Sequence, residues 1–457
     1  MAVGTVASVD LICGEILMKN FLKWTKKVIY NLSRQDGISI SLYILMIIVL
    51  IICKTFRNNK LEILDWTVFF AMASVACVQG IAELIQQFLM NRVEDSVKLE
   101  ENYERLCKMY PEISYEDGRV ANALVVYNNP KGKNLDYINR KRKKDYSEHR
   151  FPVLQEAMFQ HFKLIIDDSK EQYELPERIR EHYSELFQAH DTSNIYNQLN
   201  IKVKAWEMTR TGFCMHTMRT TYFDSLVTNR VMDYAWQPEQ TLRNIYMYGP
   251  YIRPLSESVF SNHLGFNGFI ISSDGMIPLV RRNNIVSIGK RTYGTSIGAS
   301  MKAKMALDSE LKFTQEGLKN SILGEIEDEL KINRNDMIFS IEDNIIAAYR
   351  DLVEGGKPQL LFVARTIRSK KEIETNFIAG KKKKIKQLRK NHWDKELKEL
   401  EDGNKLLWIP VQCLKKLVIL SDAIVYEEKE YRMMPSASAS IAMMINRINI
   451  FLKTDKL

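Results

Sequence analysis

Two uncharged, apolar runs stand out near the start of the chain, at residues 37–53 and 66–82. Each is about as long as the shortest membrane-spanning helices, roughly 17 residues. The charged residues that bracket them are Asp36, Lys54, Asp65 and Glu83. The pattern predicts an antiparallel two-helix transmembrane hairpin over residues 37–90. For either run alone, a buried core helix is the alternative.

Positive residues before the first run predict the orientation of this hairpin. They are Lys19, Lys23, Lys26, Lys27 and Arg34. An excess of lysine and arginine marks the cytoplasmic side, although Lys54, Arg57 and Lys60 in the loop oppose this assignment. We therefore expect two spans with both termini in the cytoplasm. Residues 1–36 are interpreted as an interfacial helix, or else as a cytoplasmic helix packed on the rest of the protein.

The second run is rich in small residues, unlike the first. Ala76 and Gly80 have the spacing that lets two membrane helices approach closely. Gln79, Glu83 and Gln86 share one face of the same helix. The pattern predicts an association face through Ala76, Gly80 and Glu83. Alternatively, Glu83 reaches the membrane surface and has no further role.

Helix-like apolar spacing continues after the hairpin, as at Leu154, Met158, Phe162 and Leu164. We interpret residues 91–244 as a mainly helical connector, with breaks at Pro152 and Pro176. From residue 245 glycines and β-prone runs appear, and Asp274-Gly275 is the strongest hairpin signal in the chain. The β-prone runs begin at Gly268, Ile277, Asn284, Met337, Ile345, Gln359 and Ile373.

These runs surround one helical stretch from Thr314 to Ile332, so residues 245–435 are predicted to form a mixed domain of strands and helices. Residues 436–457 are expected to form a C-terminal helix. The predicted fold class is α+β: an N-terminal two-helix transmembrane hairpin, a helical connector and a mixed β-sheet flanked by helices.

Composition narrows the possible ligands. The chain has 457 residues, a formal net charge of +9 and six cysteines without metal-binding spacing, which argues against a disulfide framework or a zinc site. The positive excess suits an anionic ligand or a phospholipid surface as well as nucleic acid. The basic runs at 140–144 and 381–390 lack interleaved aromatic residues, so stable nucleic-acid binding is not expected. An RNA-binding scaffold is kept as a third interpretation.

Acidic residues cluster in the helix that Thr314 is expected to cap. Glu325, Asp328 and Glu329 are spaced so that their carboxylates share one face. Oxygen ligands of this kind favour Mg²⁺ or Mn²⁺, which in turn binds phosphates. The alternative is an acidic face exposed to solvent.

The segment GEIEDELKI resembles the second half of the Nudix box, G-x5-E-x7-R-E-U-x-E-E-x-G-U, in which U is a bulky aliphatic residue. Its acids fall on Glu325, Asp328 and Glu329, its aliphatics on Ile326 and Ile332, and its isolated first acid on Glu316. The box departs from the pattern at the two glycines and the arginine, which are Glu310, Lys331 and Gly324 here. The resemblance covers residues 245–435 and implies a divergent Nudix domain with Mg²⁺ as the possible cofactor.

A membrane hairpin followed by a divergent Nudix domain is similar to the membrane effectors of bacterial cyclic-oligonucleotide anti-phage signalling (CBASS). That resemblance implies a sensor for a cyclic di- or trinucleotide. Ligand binding would drive homo-oligomerisation and disruption of the inner membrane. The alternative is a membrane-tethered Nudix hydrolase that cleaves a nucleoside diphosphate derivative, so the sequence leaves enzymatic activity open.

Basic and aromatic residues near the β-prone runs are the candidate ligand contacts, because a nucleotide offers phosphates and flat bases. They are Arg281, Arg282, Lys290, Arg291, Tyr293 and Arg365. Strand alternation predicts that Arg281 and Arg282 point to opposite faces. The alternative is that each of them is an ordinary surface residue without a role in binding.

Overall fold

The computed structural model describes residues 99–114, 116, 120–190, 197–236, 240–282, 289, 291–390 and 405–453. The predicted inner-membrane placement is wrong for this part of the chain, because none of its helices combines the length and the apolar character needed to cross a bilayer. The predicted interfacial helix and hairpin, with Ala76, Gly80 and Glu83, lie outside the described residues.

Strands are numbered here in chain order. They are β1 Ile113–Ser114, β2 Val120–Ala121, β3 Leu124–Asn128, β4 Glu148–Met158, β5 Leu164–Gln172, β6 Leu199–Thr209, β7 Gly212–Thr221, β8 Gly265–Ile271, β9 Met276–Val280, β10 Ile297–Ser300, β11 Met337–Ile338, β12 Ile345–Asp351, β13 Lys357–Thr366, β14 Leu406–Pro410, β15 Val418–Ile419, β16 Ala423–Tyr426 and β17 Lys429–Arg432.

Most helices are short. The α-helices are Tyr103–Met109, Lys133–Arg142, Glu177–Glu181, Tyr183–Gln188, Tyr222–Leu226, Leu242–Tyr246, Ala303–Ala306, Gln315–Leu330, Ile341–Asn344, Lys370–Lys390 and Pro435–Lys453. The 3₁₀ turns are Asn229–Val231, Leu255–Glu257, Arg334–Asp336 and Val411–Lys416.

A seven-stranded mixed sheet forms the centre, in the order β10-β8-β13-β12-β4-β3, with β11 paired to the end of β13. Strands β13 and β8 run parallel, and the other pairs are antiparallel. All seven residues of β12 are buried. A strand buried throughout its length needs cover on both faces of the sheet, and both faces have it.

Two hydrophobic cores lie on opposite faces of this sheet, because alternate residues of a strand point to opposite sides. Phe266 and Leu360 belong to the core that includes Ile326 of the Gln315–Leu330 helix. Phe269 and Leu361 belong to the core that includes residues of the Pro435–Lys453 helix. The sheet thus separates the Gln315–Leu330 helix, which we call the acidic helix, from the C-terminal helix Pro435–Lys453.

The predicted fold class is wrong. The protein is a mixed α/β structure with several sheets, and the predicted helical connector supplies strands β1 to β7. Strands β3 and β4 join the central sheet, and β5, β7 and β6 form a separate three-stranded sheet. Leu154 and Met158, interpreted as one helix face, lie in β4. The alternation of polar and apolar residues in β6 was the missed signal, since its period is that of a strand.

Further along the chain, some of the elements predicted from local sequence agree with the structure and others do not. The turn at Asp274-Gly275 forms, with Gly275 at φ 75°, but β9 then pairs with β14 and not with β8. The β-prone run at Ile373 is also wrong, since it lies within the Lys370–Lys390 helix. The predicted C-terminal helix is confirmed as Pro435–Lys453.

Candidate functional site

The acidic helix forms where its sequence predicts. Its N-cap is Thr314, whose Oγ1 accepts a hydrogen bond of 3.1 Å from the Gly317 backbone N–H. It ends at Lys331, which adopts the left-handed conformation at φ 59°. Glycine usually occupies this position at a helix end. Lys331 therefore has the backbone conformation that suits the glycine of the Nudix pattern.

Glu325 on this helix forms an ion pair with the half-buried Lys302. The Glu325 side chain is only 6% exposed, and the Lys302 ammonium donates to its Oε1. Lys302 lies two residues after the end of β10, so that strand brings the ammonium to the helix. A fixed side-chain cation thus neutralises the acid that the box resemblance assigns to a metal.

Glu329 lies one turn further along the helix. It is exposed to solvent, as is Asp328 next to it. Desolvation and the nearby charge of Glu325 raise the pKa of Glu329 to about 8. The raised pKa favours the protonated carboxyl of Glu329, which can donate a hydrogen bond.

The three acids do not form a preassembled metal site. Within the described residues, no group of three or more histidine, cysteine, aspartate or glutamate side chains has an arrangement suited to a metal ion. Glu325 is held by Lys302, and a protonated Glu329 is a poor ligand for Mg²⁺. The donor set present does not fit the expected Mg²⁺.

Arg282 faces the acidic helix from just beyond β9. It lies within electrostatic range of Glu329, Glu354 and Arg230. Its Nε is buried and has no hydrogen-bond partner in the described part of the chain. Burial and the like charge of Arg230 lower the pKa of Arg282. The guanidinium thus has a buried donor that meets no acceptor among the described residues.

Glu354 pairs with two further cations, Arg230 and Lys357, close to Arg282. Arg230 Nε lies 2.8 Å from Glu354 Oε2, and Lys357 Nζ lies 3.6 Å from it, with all three side chains buried. Burial acts to raise the pKa of Glu354, but Arg230 and Lys357 outweigh it and hold the pKa low. Burial lowers the pKa of Lys357 to about 8. Burial and the charge of Glu354 raise the pKa of neighbouring Asp351.

We refer to this group of side chains as the charge cluster. It consists of Arg230, Arg282, Lys302, Glu325, Glu329, Glu354 and Lys357. Four cations face three carboxylates, and the raised pKa of Glu329 disfavours the charge on one of them. The cluster therefore has a positive excess and suits a phosphate-bearing ligand.

Asn200 and His263 adjoin the cluster, and the sequence analysis missed both. They are fully buried, and neither the amide of Asn200 nor either ring nitrogen of His263 has a hydrogen-bond partner among the described residues. Burial, with Lys357 and Arg230 nearby, holds the pKa of His263 well below its usual value. A polar residue within the alternating pattern of β6 was the available signal for Asn200.

The predicted ligand residues do not all meet at this cluster. Of the basic residues, Arg282 lies in it, whereas Arg365 is exposed near the far end of β13. Arg281 pairs with Tyr293 through the backbone, and the Tyr293 ring packs against Tyr431 in the second core. Arg291 is partly buried in the left-handed conformation. Lys290 lies outside the described residues.

Comparisons with known proteins add little to this geometry. No family model matches the sequence, and no curated protein is significantly similar to it. The chain is similar to the crystal structure of DR0079 from Deinococcus radiodurans, with 16% sequence identity and a TM-score of 0.17. The match covers 23% of this chain and 56% of that one, so the chain spans about half the length of that protein. At this TM-score, the similarity assigns neither fold nor function.

Proposed function

We propose that this protein is a nucleotide sensor. The charge cluster binds the phosphate groups of the nucleotide and does not hydrolyse them. The observation that carries the proposal is the unpartnered Nε of Arg282, buried beside Arg230 and facing the acidic helix. A buried donor without an acceptor is costly, and a phosphate oxygen would satisfy it with a charge-assisted hydrogen bond.

The pairing of Glu325 with Lys302 supports binding over hydrolysis. Nudix-like hydrolysis needs carboxylates that are free to hold a metal, and here Lys302 neutralises Glu325, the first of the three. From the resemblance to anti-phage effectors, the proposed ligand is a cyclic di- or trinucleotide. The proposed consequence of binding is assembly of several copies of the chain as a defence effector.

Titration of the purified full-length protein with cyclic di-AMP, cyclic di-GMP and cyclic di-UMP tests this proposal. Isothermal calorimetry measures binding, and light scattering measures the mass of the particles. We expect at least one compound to bind without being consumed and to increase the mass. If none of the three binds and pyrophosphate does not bind either, the sensor proposal fails.

A hydrolase is the second candidate, and the elevated pKa of Glu329 favours it. A carboxyl group with a pKa of about 8 can exchange a proton near neutral pH, as a general acid or base must. The test measures phosphate release from nucleoside diphosphate derivatives in the presence of Mg²⁺. Activity that Glu329→Gln abolishes and Glu316→Gln leaves intact would favour the enzyme over the sensor.

A further inference from the structure

Three extended segments, around Ile201, Leu264 and Met301, lie beside the charge cluster. Their backbones form a closed ring of three hydrogen bonds. Ile201 N–H donates to Met301 O at 3.0 Å, Met301 N–H to Leu264 O at 2.8 Å, and Leu264 N–H to Ile201 O at 2.8 Å. All three side chains lie in the hydrophobic core on the acidic-helix face of the sheet. This junction is therefore rigid, and its inner face is fixed.

Alternation along extended backbone places the neighbouring polar side chains on the other face of the junction. These neighbours are Asn200, Lys202, His263 and Lys302. Asn200 pairs with Lys302, and Lys202 pairs with His263. Diagonal neighbours on one face of such a ladder lie about 7 Å apart. Asn200 and His263 are thus close together on the side that faces the charge cluster.

The two lysines of this face already have acceptors. Lys302 pairs with Glu325, and Lys202 donates to the Phe260 carbonyl and lies 4.6 Å from the centre of the Tyr173 ring. Asn200 and His263 have none among the described residues. Four uncharged donor or acceptor atoms thus remain unsatisfied on a face whose charged groups are paired.

Buried polar groups are nearly always hydrogen-bonded, so each exception needs a physical explanation. A phosphate suits neither residue well, since an amide and a neutral imidazole each offer a donor and an acceptor together. The edge of a nucleobase offers the same combination. The cations that would hold its phosphates stand beside His263, since Lys357 and Arg230 both act on that ring.

We propose that Asn200 and His263 read the hydrogen-bonding edge of a nucleobase while the cations of the charge cluster hold the phosphates. This inference rests on the proposed nucleotide sensor and makes the sensor selective among bases. Asn200 is the specificity residue that can be tested most directly, because leucine has nearly its shape without its polar atoms.

The experiment measures the affinities of wild-type protein and Asn200→Leu for cyclic di-AMP, cyclic di-GMP and cyclic di-UMP, with pyrophosphate as the probe that lacks a base. We expect the wild-type protein to prefer one base by about 10-fold or more, as a site that pairs with polar ligand groups does. Asn200→Leu should reduce this ratio to near one and leave pyrophosphate affinity within about two-fold.

Other outcomes separate the two proposals. If wild-type protein binds neither pyrophosphate nor any cyclic dinucleotide, the sensor proposal fails and the present inference fails with it. If phosphate probes bind but wild type and Asn200→Leu show the same ratio among bases, only the base-reading inference is overturned. An equal loss for all probes, pyrophosphate included, also overturns it.

Asn200→Asp covers the case in which the leucine variant does not fold. The carboxylate keeps the size of the amide but replaces its donor with an acceptor, so the order of preference among bases should change. An unchanged order would contradict base reading. If the amide serves only to hold internal water, Asn200→Leu should lower the stability of the ligand-free protein and leave the order of bases as it was, which also counts against the proposal.

Discussion

Arg243 and Arg282 are both held largely inside the protein, but their surroundings differ. Arg243 donates through Nε and Nη2 to Asp233 at 2.6 and 2.9 Å, and through Nη1 and Nη2 to the Leu352 and Val353 carbonyls at 2.8 and 3.0 Å. Arg282 faces Arg230 and has a buried Nε without a partner among the described residues. The two carbonyls that Arg243 binds come just before Glu354, the acid that pairs with Arg230.

This difference distinguishes a buried charge that stabilises the fold from a buried charge that we assign to ligand binding. The Arg243 guanidinium is satisfied by an opposite charge and by carbonyls, so it fixes the Leu352–Val353 turn in place. The charge cluster leaves Arg282, Asn200 and His263 with unsatisfied atoms. Since such atoms cost free energy in the folded protein, a binding role is the explanation that we favour.

Breaking the satisfied pair should have the largest effect. Arg243→Met leaves the Asp233 carboxylate without its cation, and removal of one partner of a buried pair costs about 3–5 kcal/mol. We therefore expect the free energy of unfolding to fall by about that amount in urea denaturation. Arg282→Met is the matched control, and an equal loss of stability in both variants would remove the distinction between the two arginines.

Arg282→Met should instead weaken ligand binding. We expect affinity for the best-binding cyclic dinucleotide to fall by about 10-fold or more, because a charge-assisted hydrogen bond to phosphate is lost. The free energy of unfolding should change by less than about 1 kcal/mol, since the buried Nε has no acceptor in the described part of the chain that would lose a partner. Calorimetric titration and urea denaturation measure the two quantities. Wild-type affinity in this variant would contradict the assignment of the site.

Glu329 should make stability depend on pH. Its pKa is about 8 in the folded protein, against 4.5 for an unperturbed glutamate. Between these values, the folded protein holds a proton that the unfolded chain has released, so stability falls as pH rises. Glu329→Gln should flatten this decline in urea midpoints measured between about pH 5 and pH 9. Glu316→Gln, at an exposed site in the first turn of the same helix, should retain it.

Arg365→Ala should have the smallest effect. Arg365 lies eight residues after Lys357 along β13, about 26 Å away at the rise of a strand, and it is exposed. We expect ligand affinity to change by less than two-fold in the same titration. A larger loss would show that the binding site extends to this end of the sheet.

Local sequence signals predicted individual elements well where the signal was complete within the element. Thr314 as N-cap, the acidic helix after it and the positive φ at Gly275 all follow from short-range chemistry. The connector was mispredicted because Leu154 and Met158 suit either a helix face or a long strand that bends at an irregular register. The run at Ile373 was mispredicted because its β-prone residues form part of the long helix Lys370–Lys390.

The candidate site was predicted in part for the same reason. Helix periodicity placed Glu325 and Glu329 together, but it could not show that Lys302 pairs with Glu325. Arg282 was a candidate on composition alone, and so were Arg281 and Arg365, which the structure places elsewhere. Asn200 and His263 gave no motif that would distinguish them from ordinary polar residues.

The sequence by itself determined the helix caps, the turns and the spacing of acids on one helix face, since these depend on residues within a few positions of one another. Only the tertiary structure decided which strands share a sheet and which cations meet which acids. Some of these contacts join residues far apart in the chain, as Arg230 and Glu354 are. Whether a buried charge is satisfied depends on all its neighbours at once, and a single chain pattern does not contain that information.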